Sequence, residues 1–340
     1  MRLGITIVGD TLENFTHYVQ QADRAGVAAI GTGDSQTLYG ELWVRCTLAG
    51  MHTTQAQVGP WATNPVTRHP SVTAGAAASL AELTHGRAYL GISTGDAAVY
   101  NIGRKPATLA RLEAYIRTVK ALLTEGVAEW EGHTAYLDYP HPPVPIAMPA
   151  SGPRALHLAG QVADIVWVCT GVQPEAVAAA REHLAQGAAA AGRRLEDLDI
   201  WWVALLNVGP SRQEAIEQLK FSLASYAHII FRYTLEGKAV PPELADAIRQ
   251  LVDGYQSRFH IQSGEVNPNA QLVDDLDLSD YLADRLTVAG TVDECLERLQ
   301  ALQDAGIDQI WTPVRFADKT QLMQTICDEL MPRLPSGDAA

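Results

Sequence analysis

Strand and helix signals alternate along this chain from its first residues, and few folds accept so long an alternation. Leu3–Val8 reads as a strand, and the segment after it carries Phe15, Val19 and Ala22 on one helical face before stopping at Gly26. Val27–Gly31, Thr54–Val58 and Ala88–Ser93 read as the next three strands, separated by helices over Leu42–Gly50 and Ser71–Leu83. A helix begun by Pro106 places Leu109, Leu112, Ile116, Val119 and Leu123 on one stripe. Val127–Leu137 reads as a hairpin turning at Glu131-Gly132. Strands at Val144–Met148 and Asp164–Val168 follow, with helices at Ser151–Gly160 and Pro174–Ala191, and then a seventh strand at Ile200–Val208. After a capping box at Ser211–Glu214 the rhythm breaks until about Arg285, then returns with a second capping box at Thr291–Glu294 and an eighth strand at Ile307–Pro313. Eight such units predict an α/β protein, a single (β/α)8 barrel over residues 1–334. The stretch at about 211–288 is expected as a helical insertion after strand seven that caps the carboxyl-end mouth, and 335–340 as a disordered tail.

The 340 residues are 47% hydrophobic, enough for a large core, and carry a net charge of −14 with no block of Lys and Arg. That balance argues against a nucleic acid or an anionic membrane as partner. The longest apolar run, Ile200–Leu206, falls well short of the ~20 residues of a membrane span, and no targeting segment is visible, so a cytoplasmic protein is expected. Cys46, Cys169, Cys295 and Cys327 are isolated in the sequence, which suits buried thiols. The histidines lack paired metal-ligand spacing, and no metal is expected.

The chemistry-bearing residues fall where strands end. Gly59-Pro60-Trp61-Ala62-Thr63-Asn64-Pro65-Val66-Thr67-Arg68-His69-Pro70 closes the third strand with backbone held tightly by its prolines, a pattern that suits a ligand platform. Gly31-Thr32-Gly33-Asp34-Ser35-Gln36 resembles a dinucleotide fingerprint but has Gln36 in place of the third glycine, which leaves Asp34 at a strand end as its feature of interest. Gly91-Ile92-Ser93-Thr94-Gly95 matches the GxSxG of serine hydrolases, yet a loop rather than a helix follows Ser93, so backbone lying beside a flat ligand is the better reading, with Asp96 aimed into the mouth. Ala150-Ser151-Gly152-Pro153-Arg154 opens a helix with a hydroxyl, a glycine, free N–H groups and an arginine, a set that suits phosphate, with Thr170 at the next strand end beside it.

Together these loops resemble the luciferase-like flavin oxidoreductase superfamily: bacterial luciferase, alkanesulfonate monooxygenase and the methylenetetrahydromethanopterin reductases. Thr63–Pro70 is closely similar to the TNPxTRHP of the reductase branch, and Gly103–Thr108, Ser151–Arg154 and the insertion support the likeness over about residues 3–330. The resemblance implies a non-prolyl cis peptide at Trp61–Ala62 beneath the central flavin ring. It implies Asp34 near the pyrimidine end, Ser93, Thr94, Gly95, Asp96 and Ala97 along the ring and ribityl chain, and Ala150, Ser151, Gly152 and Ala155 around the phosphate, joined by Arg154 and Thr170. Ser35 stands where the sugar-phosphate dehydrogenases of the deazaflavin branch carry a histidine. The expectation drawn is an FMN-dependent monooxygenase that takes reduced flavin from a separate NAD(P)H:flavin reductase and uses O2 on a small organic substrate. Thr63 and Asn64 are expected to face the reactive ring edge, and Asp96 to act as acid or base in a partly desolvated mouth, with Asp34 as a third catalytic candidate. The alternative is a reductase or dehydrogenase using the deazaflavin coenzyme F-420. A non-catalytic flavin-binding protein and a serine hydrolase are remoter readings, and the resemblance also implies a homo-oligomer, a dimer or higher.

Overall fold

The computed structural model describes residues 1–256, 259, 267–314 and 318–334; the expected tail lies outside the described residues. The chain begins β1 (Arg2–Ile7), α1 (Leu12–Arg24), β2 (Ala29–Thr32), α2 (Leu42–Met51), β3 (Gln57–Pro60), α3 (Pro70–Leu83) and β4 (Leu90–Gly91). A short α4 (Ala97–Asn101) precedes α5 (Leu109–Glu125), the hairpin β5 (Val127–Trp130) and β6 (His133–Tyr136), and β7 (Ile146–Ala150). Then come α6 (Pro153–Val162), β8 (Ile165–Val168), α7 (Pro174–Ala190), β9 (Asp199–Val203) and β10 (Leu205–Val208). Helices α8 (Arg212–Glu217), α9 (Lys220–Phe231), α10 (Ala245–Gly254), α11 (Pro268–Asp275) and α12 (Ser279–Leu286) lead to β11 (Thr287–Gly290), α13 (Val292–Asp304), β12 (Gln309–Val314) and α14 (Lys319–Thr325).

Eight strands pair in the order β3-β2-β1-β12-β9-β8-β7-β4. Parallel bridges Val58–Ala88 and Thr63–Ile92 join the two ends and close the barrel. The fold is the expected (β/α)8 barrel. The hairpin also turns where expected, with Glu131 and Gly132 both at positive φ.

The barrel is filled unevenly, aromatic on one side and bare on the other. Trp167, Trp201 and Trp311, from β8, β9 and β12, are fully buried with Tyr89. Their rings pack at 5.0 Å between Trp167 and Trp311 and 5.4 Å between Trp201 and Trp311, tilted or edge to face. Opposite them stand glycines. A Cβ on Gly4 would lie 2.4 Å from the Trp311 ring, and one on Gly91 would lie 2.7 Å from the Trp167 ring. The Trp311 and Trp167 indoles therefore occupy space that another strand leaves by carrying no side chain.

Several boundaries differ from expectation, three of them with a visible cause. The seventh strand is not continuous: it divides at Ala204, whose N–H goes to Trp311 O, and β10 then leaves the barrel to pair with β11. Strand β11 was hidden in what read as the end of the insertion, because only four residues separate α12 from Thr291. Helix α5 starts at Leu109 rather than Pro106, since the Thr108 hydroxyl caps Arg111 N. The helices of the insertion share one apolar cluster with the barrel interior, in which Leu223, Ile230, Phe231, Leu251 and Leu282 join Trp167 and Trp311.

The amino end of β3 is held by Asp23 of α1, a buried carboxylate that accepts the N–H groups of Thr54, Gln55 and Ala56 and the Thr54 hydroxyl, all within 3.0 Å. Burial alone would raise its pKa, but the backbone N–H groups and the Thr54 hydroxyl outweigh that and hold it below the ordinary 3.8. A depressed carboxylate stabilises the fold above its unfolded pKa, and that contribution is lost as pH falls through the folded value. Asp23→Ala, which strands these donors, should cost about 1–3 kcal/mol in urea unfolding at pH 7 and flatten the fall of stability below pH ~4. An unchanged acid limb would show that Asp23 does not hold this strand.

Candidate active site

The carboxyl ends of the strands bring together the loops that the sequence singled out. One buried polar feature is an ion network behind the Thr63–Pro70 loop. Asp34, whose side chain is 3% exposed, pairs with Arg68 Nη1 at 2.6 Å, and Arg68 Nη2 reaches Glu41 at 2.9 Å. The Thr63 hydroxyl donates to the same Asp34 oxygen at 2.7 Å, and Asn64 Nδ2 approaches it at 3.4 Å. Burial by itself would lower the Arg68 pKa, but the charges and hydrogen bonds of Asp34 and Glu41 reverse this, so the guanidinium is held firmly as a cation.

Thr63 and Asn64 are therefore placed otherwise than expected. They are 0% and 1% exposed, so neither side chain faces the open mouth. Asn64 Oδ1 accepts from Val66 N, Thr67 N and the Thr67 hydroxyl, a turn that shapes the loop from within. Asp34 likewise anchors this loop instead of presenting a free carboxylate. Trp61 and Ala62 are half-exposed, as are Val66, Thr67 and Arg68 further along, and the peptide joining Trp61 to Ala62 is cis, as expected. The Trp61 indole lies parallel to that of Trp311, and its ring N–H is buried without a partner among the described residues.

The loop after β4 packs against this platform. Ser93 N donates to Thr63 O at 2.8 Å, and the Ser93 hydroxyl receives Gly95 N–H at 3.3 Å. Gly95 has φ +93, and a Cβ there would lie 2.5 Å from Val99 and 3.1 Å from Asn64, so this backbone needs glycine on both counts. No histidine hydrogen-bonds Ser93 among the described residues, and the segment lacks the strand-to-helix elbow that a hydrolase nucleophile requires. Thr94 O accepts Ala107 N–H, and Ala97 opens α4. Asp96 departs from expectation: its side chain is 53% exposed and pairs with Arg232 of the insertion at 3.4 Å. The desolvation on which an acid or base role rested is absent here, because the carboxylate meets both water and a cation.

At the end of β7, Gly152 caps α6 without a side-chain bond, and Leu156 N–H is the first to find a helical acceptor, in Gly152 O. The Arg154 and Ala155 N–H groups beyond Ser151 are thus left for a ligand. Ala150 O is tied to Cys169 N, which sets Thr170 beside this helix start, and the Thr170 hydroxyl is buried with no partner among the described residues. Arg154 is the exception. Its exposed side chain lines an outward groove with Glu113, His157 and His183, because the second position of a helix projects away from the axis end.

The sequence reading missed the cations that surround this corner. Lys238 is 4% exposed, and its Nζ donates to Ile230 O. Burial, followed by the charges of Arg285 and Arg232, pulls its pKa down to about 8. Arg285 ties α12 to two segments, donating to Thr170 O and to the adjacent carbonyls of Lys238 and Ala239. The one local signal for Lys238 was the Gly237 before it, since that turn lies within a segment whose path the sequence leaves open.

Comparison with known proteins places the chain among relatives of the same fold. The luciferase-like monooxygenase family matches residues 2–309. A 5,10-methylenetetrahydromethanopterin reductase of Archaeoglobus fulgidus is 27% identical, over 98% of this chain and 100% of its own. An F-420-dependent glucose-6-phosphate dehydrogenase of Nakamurella multipartita is 26% identical, over 84% of this chain and 79% of its own. Among solved structures, a coenzyme F-420-dependent tetrahydromethanopterin reductase from Methanopyrus kandleri superposes with a TM-score of 0.76 at 22% identity, covering 98% of this chain and 99% of that one. A monooxygenase from Streptomyces bottropensis superposes at 0.65 with 18% identity, covering 98% and 99%. These structural likenesses speak to the fold.

Arg68→Met would leave Asp34 a buried charge without its counterion, and should cost about 3–5 kcal/mol in urea unfolding. The double variant Asp34→Asn, Arg68→Met should recover part of that loss. A single variant within ~1 kcal/mol of wild type would show that the pair does not organise the loop.

Proposed function

The chain belongs to the luciferase-like monooxygenase family, and from that premise we propose that it is an oxidoreductase of the hydride-transferring kind, using the deazaflavin coenzyme F-420 on a small organic substrate. The observation that carries this reading is the end-to-end likeness to a methylenetetrahydromethanopterin reductase, 98% of one chain against 100% of the other. The F-420-dependent dehydrogenase among the relatives supports it. The expectation of an FMN-dependent monooxygenase is therefore set second. It keeps the support of fold-level neighbours such as the Streptomyces bottropensis enzyme, and it alone needs O2 and a separate flavin reductase.

The residues present fit a flat ring cofactor with a phosphate. Half-exposed backbone at Trp61–Ala62 and the glycine-turned loop Ser93–Gly95 offer two surfaces, and the free N–H groups of α6 with the orphaned Thr170 hydroxyl offer an anion site. When bound, the coenzyme supplies a hydride donor or acceptor at its ring. The chain's part is to position and to exclude water. Asp34, Arg68, Thr63 and Asn64 hold the Trp61–Ala62 backbone in one shape from behind, and so act through it. Trp61, packed on Trp311, gives the mouth an apolar floor, and the insertion shares the same apolar cluster. Ser35, standing where the sugar-phosphate dehydrogenases carry a histidine, gives no support to a sugar-phosphate substrate.

Titration of the apo-protein with oxidised and reduced F-420 and FMN tests the choice. F-420 should bind at least ~30-fold more tightly than FMN, and the bound reduced form should be stable in air without O2 consumption. Tight binding of reduced FMN coupled to O2 uptake would restore the monooxygenase reading.

A further inference from the structure

Among the described residues, Lys238 is a buried ammonium that pairs with no acid. The charged groups there that bear on it are Arg285 from α12 and Arg232 at the end of α9, both cations. Its hydrogen bond among them is to a neutral carbonyl, Ile230 O. A buried cation among cations is unfavourable unless something anionic completes it. The direction in which it lies is specific. A Cβ built on Gly152, the residue that opens α6, would stand 3.4 Å from Lys238 Cε and 3.7 Å from Nζ. The same corner holds the N–H groups of the first turn of α6 and the unpartnered Thr170 hydroxyl, 3% exposed. Arg285 fixes the arrangement, since one guanidinium binds Thr170 O and Lys238 O together.

We propose that Lys238, carried by the insertion, is the counterion of the cofactor's phosphate, held over the first turn of α6 with the Thr170 hydroxyl as a further donor. This rests on the ring-cofactor reading above and adds to it a residue from outside the barrel strand ends. Arg154, which faces the outer groove, takes no part. The insertion then senses the cofactor directly, because the phosphate joins Lys238 to the barrel. Binding is also linked to protons. The free ammonium loses its proton near pH 8, and a bound phosphate favours the charged form, so affinity should be full below that pH and fall as pH rises above it.

The test compares each cofactor with its phosphate-free form: FMN with riboflavin, and F-420 with its 8-hydroxy-5-deazariboflavin core. For whichever pair the wild type binds, Lys238→Met should weaken the phosphorylated form by ~30-fold or more and the phosphate-free form by less than ~3-fold. Thr170→Val should give a smaller loss with the same selectivity. In the wild type, affinity for the phosphorylated form should drop up to ~10-fold per pH unit between pH 8 and 9.5, while that for the phosphate-free form stays level. Equal losses for both forms, or a flat pH profile for the phosphorylated one, would overturn the role of Lys238 and leave the ring-cofactor reading in place. Failure of the wild type to bind any of the four compounds would remove that reading and this inference with it.

Discussion

Three indoles share the inside of this barrel with strands that carry glycine where the rings arrive. Trp311 reaches Gly4 and Gly31, and Trp167 reaches Gly91. The contact is reciprocal, since an indole without the bare strand would not fit, and a bare strand without the indole would leave a cavity of the kind that costs several kcal/mol. The Trp311 ring N–H is satisfied inside the barrel by the Thr6 hydroxyl at 2.7 Å and that of Trp201 by Asp199 at 3.1 Å, while the Trp167 ring N–H is buried with no partner among the described residues. Trp61 then lies parallel to Trp311, which carries the apolar filling up into the mouth.

What stands on that filling inherits its rigidity. The backbone at Trp61–Ala62 is supported from below by Trp311 and from behind by the Asp34–Arg68 pair, so the loop that follows has little freedom to rearrange. The insertion is tied in twice. Its helices enter the same apolar cluster as Trp167 and Trp311, and Arg285 clamps it to the end of β8 through Thr170 O. A barrel mouth built this way suits chemistry that needs a flat ring held still and water kept out, with few titrating side chains in reach.

Much of the barrel could be read from the sequence because each strand and helix signal is local. Pro70 and Pro153 begin helices, Gly26 and Gly126 end them, and apolar spacing does the rest. The cis peptide at Trp61–Ala62 was reached through the likeness of Thr63–Pro70 to a known motif. What failed depended on distant partners. Thr63 and Asn64 read as ring contacts, since nothing local shows that Asp34 and the turn at Val66–Thr67 already use them. Asp96 read as a desolvated acid, and its exposure and its pairing with Arg232 are set by how the insertion docks. Arg154 read as part of the phosphate set, and Lys238 drew no reading from the sequence. Helix geometry turns the first outward, and a chain reversal at Gly237 brings the second in. The matching of glycines with indoles was equally silent, because it depends on register across a closed barrel.

The central claim is that a ring cofactor lies against Trp61–Ala62 with its phosphate at the start of α6. A crystal structure of the chain soaked with F-420, or with FMN if that binds instead, tests it most directly. The account predicts the ring in contact with the Ala62 backbone and the phosphate within hydrogen-bonding distance of the Arg154 and Ala155 N–H groups and of the Thr170 hydroxyl. A cofactor bound with its phosphate at another strand end, or with its ring away from Trp61–Ala62, would contradict it.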